Sequence, residues 1–327
     1  MGKTSRFSST RLILHLLLFL VAITAGLTFS DSQSSNVAKA QEPEPDVIGV
    51  ISGSVTGTYA KFAHQMSAVL DGDDIRVLPM LGKGSQQNIR DLLYLNGVDV
   101  AIVQSDVLDF YKANQTIPGI EESIRYIGKL YDEEIHIVVP TGLRSIKELE
   151  GAIVSVGGAG SGTEMTANTL FDALGISIVP VNVSNTEAIS QLKQGNIGAA
   201  VFVLGKPGSI IESIGRDDGL TLLPITLPKT IQGAYFETAF QAADYPNLVN
   251  AGAPVPTIAV GAVLAVFNWR QGSSRHQAVS RFAQGLVAAL DILQDPAVYH
   301  PKWGEVNFAT KVPGWVRFSA METLVAQ

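Results

Sequence analysis

The chain has no cysteine. Thiol nucleophiles, iron–sulfur clusters and disulfides are therefore excluded. Charge is sparse as well: 16% of the 327 residues are Asp, Glu, Lys or Arg, with a net charge of −7 at neutral pH. No basic stripe is present, which argues against a nucleic-acid partner. Histidine is equally scarce. Beyond His15, the residues His64, His136, His276 and His300 show neither HExxH nor paired ligand spacing, so no metal and no cofactor is assigned. There is no G-x-S-x-G and no assemblable Ser–His–Asp set, so no catalytic residue is named and the chain is read as a non-enzyme. Past residue 40 no apolar run reaches the ~18 residues needed to cross a bilayer. The run 257–267 is too short to span and reads as a buried strand.

What is present is apolar and globular. At 46% hydrophobic content the chain is long enough for two lobes, each with its own core. Lys3, Arg6 and Arg11 precede an apolar stretch at 12–27, and Ala38-Lys39-Ala40 supplies an A-x-A cleavage site. Residues 1–40 thus read as a signal peptide, and the protein as periplasmic; an uncleaved membrane anchor is the alternative. Removing this segment takes away four basic residues and one acidic one, leaving −10. Residues 41–46, with Pro43 and Pro45, form a linker.

From residue 47 one device recurs: a short apolar run, a turn of small polar residues, then a helical pattern. Residues 47–52 lead into Gly53-Ser54-Val55-Thr56-Gly57-Thr58, and 77–81 into Gly82-Lys83-Gly84-Ser85. Residues 100–103 precede Gln104-Ser105-Asp106, Ile153-Val154-Ser155-Val156 precedes 157–163, and 200–204 precedes Gly205-Lys206-Pro207-Gly208. This alternation predicts a parallel α/β sheet whose strand ends line one cleft. Ser145 to Glu148 and Ser161 to Glu164 both fit the capping box. A helix is predicted over 275–293, irregular chain over 235–256, and a solvated turn at Asp132-Glu133-Glu134.

The turns supply the candidate ligand residues. Gly162 and Thr163 offer helix-end N–H groups and a hydroxyl to a carboxylate, beside Ser161 as cap and contact. The 157–163 loop fits neither the Walker nor the G-x-G-x-x-G pattern. Thr56 and Thr58 flank a second helix start, where Tyr59 either closes over a ligand or is buried with its hydroxyl satisfied. Ser85 is either a plain cap or a cleft residue. Gln104 is placed to hydrogen-bond a ligand. Lys83 and Lys206, the latter between Gly205 and Pro207, either neutralise an acidic ligand or are solvated.

These residues in this order resemble the TAXI family of TRAP-transporter solute receptors. The resemblance runs from about residue 46 to the C-terminus. It is carried by Leu130-Tyr131, Ile135-His136-Ile137-Val138-Val139, Ser145-Ile146-Lys147-Glu148-Leu149-Glu150-Gly151, Val154-Ser155-Val156-Gly157 and Gly160-Ser161-Gly162-Thr163. It implies a two-lobed type II periplasmic-binding fold with the ligand cleft between the lobes: 47–138 as lobe 1, 139–256 as lobe 2, and 257–327 returning to lobe 1. It further implies hinge closure on a small carboxylate-bearing solute, an acidic amino acid or a dicarboxylate, and delivery to the small and large TRAP membrane subunits. Two positions depart from the family pattern. Ala60 stands where a second aromatic is usual, and Lys206 precedes Pro207 in place of a small residue. The alternatives are a receptor of an ABC importer and a membrane-tethered sensor.

Overall fold

The computed structural model describes residues 45–326. The segment 1–40 predicted as a signal peptide and most of the predicted linker lie outside the described residues. The first half of the chain comprises β1 (Asp46–Ile51), α1 (Thr58–Leu70), β2 (Ile75–Met80), α2 (Ser85–Tyr94), β3 (Val100–Gln104), α3 (Val107–Asn114), α4 (Ile120–Ser123) and the long β4 (Ile124–Pro140). Then come β5 (Ile153–Ser155), α5 (Gly162–Leu174), β6 (Val179–Val181), α6 (Asn185–Lys193), β7 (Ala199–Leu204), α7 (Ser209–Glu212), β8 (Leu220–Leu222), β9 (Phe236–Phe240) and β10 (Val255–Phe267). The chain ends in α8 (Ser274–Ala288), α9 (Leu290–Leu293) and α10 (Ser319–Leu324).

The helices start and stop for local reasons. In α1 the residues Tyr59, Phe62, Ala63 and Met66 recur at helical spacing and are all buried. The Ser161 hydroxyl caps α5 by accepting from the Glu164 amide at 3.0 Å, and Gly175 ends it in the left-handed region at φ 65°. The Glu164 carboxylate reaches back to the amide of Gly160, one residue short of the predicted capping box. The box at Ser145 and Glu148 forms, on a 3-10 turn over Ile146–Leu149. The predicted helix over 275–293 is two helices, α8 and α9, which meet at Ala289.

The sheet runs β2-β1-β3-β10-β4-β7-β5-β6, with β8 on β4 and β9 on β10. β2-β1-β3 are parallel, and so are β6-β5-β7. The two ends of the sheet therefore repeat one topology, β-α-β-α-β in the spatial order 2-1-3. The long antiparallel strands β4 and β10 join them: β10 pairs with β3 through 262–266 and with β9 through 255–259. β9 lies within the stretch predicted as irregular; its pairing with β10 is a long-range contact that residues 235–256 do not announce.

The core divides along the same strands. One pair of apolar clusters takes Leu130 and Tyr131 of β4 and Ala262 to Val266 of β10; the other takes Ile135 to Val139 and Ile258 to Val260. In the first, Phe62 stacks on Trp303 with centroids 4.2 Å apart. Between the clusters lie Glu133 and Glu134, each 2% exposed and inside β4. The predicted solvated turn is thus a correction: this acidic run is strand, and two of its three carboxyls are buried. Among the described residues no helix is long and apolar enough to cross a membrane.

Candidate functional site

Parallel β-α units leave their turns at the C-terminal ends of the strands, where ligands of open α/β sheets bind. Here four such turns, two from each end of the sheet, surround one cavity of about 430 Å³. The β1–α1 turn contributes residues 53–59 and the β2–α2 turn 82–85; across from them lie 157–163 of the β5–α5 turn and 182–186 of the β6–α6 turn. Gln104, Glu133 and the end of β7 at 202–204 complete the wall. The N-termini of α1, α2, α5 and α6 all open onto this space, and each presents free backbone N–H groups with a partial positive charge.

The cavity is closed over by contacts between the two ends of the sheet. The Gln87 amide donates to the Gly160 carbonyl at 3.0 Å, and the Gln86 side chain to the Ser161 carbonyl at 3.2 Å. Gln104 Nε2 donates to Thr166 Oγ1 at 2.7 Å, and Asn185 Nδ2 to Thr56 Oγ1 at 3.2 Å. The Tyr235 hydroxyl donates to Asp106, whose carboxyl is pushed up to about 6, chiefly by burial. Glycine is needed at the closest approach. A Cβ on Gly162 would lie 1.6 Å from Gln104 Oε1, and one on Gly84 would lie 3.2 Å from the Gly162 amide nitrogen.

Of the predicted contacts, Thr56, Thr58, Tyr59, Lys83, Ser85, Gln104, Ser161, Gly162 and Thr163 all line the cavity. Ser85 does so through a network: its hydroxyl accepts from the Gln104 amide at 2.9 Å and donates to Gln104 Oε1 at 3.1 Å. Gly205, Lys206 and Pro207 are not in the wall. Lys206 is a correction with a clear cause: its ammonium is held by Asp244 at 3.1 Å and donates to the Ala239 carbonyl at 2.6 Å. Gly205 instead accepts from the Thr58 hydroxyl.

Lys83 is the one cationic side chain in the wall and Glu133 the one acidic one. Glu133 Oε2 accepts from the Tyr59 hydroxyl at 2.6 Å. Burial pushes its carboxyl up to about 8; the Tyr59 hydrogen bond opposes this, and the nearby Asp106 and Glu134 carboxylates add to it. Behind the wall Lys302 is buried between Glu134 and Glu305, each 2.7 Å away. Burial works against its ammonium, but the two carboxylates outweigh that and raise its pKa. Sequence reasoning missed Glu133 and the whole β6–α6 turn. That turn follows the recurrent pattern, strand then Asn182-Val183-Ser184-Asn185, but it has no glycine to mark it.

Residues 50–272 match the NMT1-like family. The chain belongs to that family. Among solved structures it is similar to a periplasmic transporter, at 14% identity and a TM-score of 0.54, over 78% of this chain and 85% of that one. It is also similar to the alkanesulfonate-binding protein SsuA from Xanthomonas axonopodis pv. citri, at 15% identity and a TM-score of 0.48, over 88% and 85%. The aliphatic sulphonate binding protein SsuA from Escherichia coli matches at 14% identity and a TM-score of 0.45, over 87% and 79%. The fold of this NMT1-like protein is the two-lobed periplasmic-binding fold, with its cavity between the lobes.

Proposed function

We propose that this protein is an extracytoplasmic solute receptor that captures a small carboxylate-bearing molecule between its lobes and does no chemistry on it. The observation that carries this reading is the convergence of four helix N-termini and Lys83 on one cavity, whose one acidic side chain, Glu133, favours its neutral form near neutral pH. Such a cavity has a positive field and a surplus of hydrogen-bond donors, both of which suit an anion. A volume of about 430 Å³ fits a small solute.

The lobes are taken as 47–138 with 257–327, and 139–256. The change of core cluster along β4 and β10 supports this division. Closure by hinge motion about these two strands is supported by the hydrogen bonds that bridge the cleft. The resemblance of 130–163 to TAXI receptors supports a TRAP permease as membrane partner, and the basic, apolar and A-x-A pattern of 1–40 supports export to the periplasm.

The test is thermal unfolding of the protein, unfolded and refolded to shed carried-over ligand, against a panel of acidic amino acids and dicarboxylates. A true ligand at ~100 times its dissociation constant adds ~2.7 kcal/mol. The expected result is a selective upward shift with one acid, recovered unchanged. A shift with neutral or cationic solutes alone would sink the anion reading. Transport of that acid by a co-expressed many-span TRAP permease, and not by an ATPase-coupled importer, tests the partner.

A further inference from the structure

The anion reading leaves one wall group without a role. Glu133 lies where β4 passes between the lobes, and one of its oxygens accepts from Tyr59. The other, Oε1, has no hydrogen-bond partner among the described residues, and the residue faces the cavity. An ionised Glu133 would set an acceptor and a negative charge against an anionic solute. A neutral Glu133 would present an O–H donor to it instead.

The groups around Glu133 decide between these forms. Tyr59 faces it from α1, Tyr131 and Glu134 from β4 itself, and Asp106 from the turn after β3. Lys302 approaches from the 3-10 turn at Pro301–Glu305, and its charge is already shared between Glu134 and Glu305. Two carboxylates and the loss of solvent thus act against ionisation; the Tyr59 hydrogen bond and Lys302 act for it, but Lys302 is already shared between two other carboxylates. The Tyr59 hydroxyl donates to Oε2, which leaves Oε1 to carry the acid proton.

We propose that Glu133 is a specificity-determining proton donor, a neutral carboxylic acid that gives the hydrogen bond from its cavity-facing oxygen to an anionic group of the solute. This rests on the anion reading above. It makes capture pH-dependent: above the range where Glu133 holds its proton, each anion bound must bring a proton with it. An ammonium-bearing solute salt-bridged to ionised Glu133 is the opposite arrangement, and the field of four helix N-termini disfavours it.

The test compares wild type with Glu133→Gln, a neutral mimic of the protonated acid, using glutarate and L-glutamate as probes that differ by one ammonium group. Infrared spectra of the ligand-free protein at about pH 7 should show the carbonyl stretch of a protonated carboxyl that is lost in the variant, given a raised pKa of about 8. Calorimetric titration with glutarate should show wild-type affinity falling about tenfold per pH unit above about pH 8. The variant should lose this slope, its glutarate affinity staying the same above and below about pH 8. No Glu133-dependent carboxyl band would overturn the proposal while leaving the anion reading intact, provided that glutarate still bound. Binding of L-glutamate alone, tightening with pH and abolished by Glu133→Gln, would overturn it in favour of an ion pair. Binding of neither acid at any pH, with no shift from any other acid of the panel, would remove the anion reading and the proposal together.

Discussion

The two lobes build their half of the cavity from the same β-α-β-α-β unit, yet they finish their helices differently. On the first lobe α1 and α2 begin after Gly57 and Gly84, with no side-chain cap. On the second, α5 and α6 begin after Ser161 and Ser184, whose hydroxyls accept from the amides of Glu164 and Glu187. Those glutamates also place a negative charge in each first turn, whereas α1 and α2 have no acidic residue there. Shared topology thus brings all four helix ends to the cavity, but the two first turns with no acidic residue belong to the first lobe, with Lys83 beside them. On the reading proposed above, the first lobe is the stronger anion donor and the second the cover that closes on it.

The largest expected effect comes from spoiling the fit of the cover. Gly162→Ala puts a Cβ onto Gln104 and should hold the lobes apart. We expect an affinity loss of about 100-fold, ~2.7 kcal/mol, with the melting temperature of the ligand-free protein little changed, as read by calorimetry and by small-angle scattering. The matching first-turn change on the other lobe, Thr58→Ala, removes a single hydrogen bond to Gly205 and should cost about 1 kcal/mol. Equal losses at the two positions would break the comparison.

Next is a pH effect that belongs to the strand joining the lobes. Glu133 and Glu134 have pKa values raised chiefly by burial, to about 8 and about 7, the latter against the pull of Lys302. The folded protein therefore binds more protons there than the unfolded chain, and this stability is lost as pH rises through those values. His136 and His300, lowered by burial to about 3 and about 4, act in the opposite sense, and their contribution is complete above about pH 6.5. Stability should therefore fall by ~2 kcal/mol between about pH 6.5 and 8 in urea titrations, and the fall should be smaller in Glu133→Gln.

Lys83→Ala should weaken binding of the acidic solute about tenfold at low ionic strength and less at high salt, because Lys83 sits exposed in the wall. The smallest effects come from exchanging caps. Ser184→Ala should lower unfolding stability by about 1 kcal/mol. Gly57→Ser, which gives the first lobe the cap of the second, should add a few tenths of a kcal/mol and weaken ligand binding, measured by urea unfolding and calorimetry. If that cap left affinity unchanged, α1 would not be an anion donor.

Much of the fold and half of the wall could be read from local pattern. Gly82-Lys83-Gly84-Ser85 and 157–163 announce themselves as strand-to-helix turns because glycine, serine and threonine are what such turns require. The turn at 182–186 also links a strand to a helix, but without glycine nothing in it marks a ligand contact. The acidic run 132–134 resembles a solvated turn in any local window. Its burial depends on Tyr59, 74 positions earlier, and on Lys302, 168 positions later. Lys206 fails for the mirror-image reason. The sequence places it in a cleft turn but does not show that Asp244 takes up its charge.

The sequence by itself determined the parallel α/β alternation, the buried faces of the helices, their caps and stops, and the class of turn at each strand end. All of these follow from interactions within a few residues. The tertiary structure decided which turns share one cavity, which lysine faces it, and which carboxyls are held out of water. The physical reason is that protonation and pairing depend on solvent access and on charges within a few ångströms. In a sheet joined by two long crossing strands, those neighbours come from distant parts of the chain.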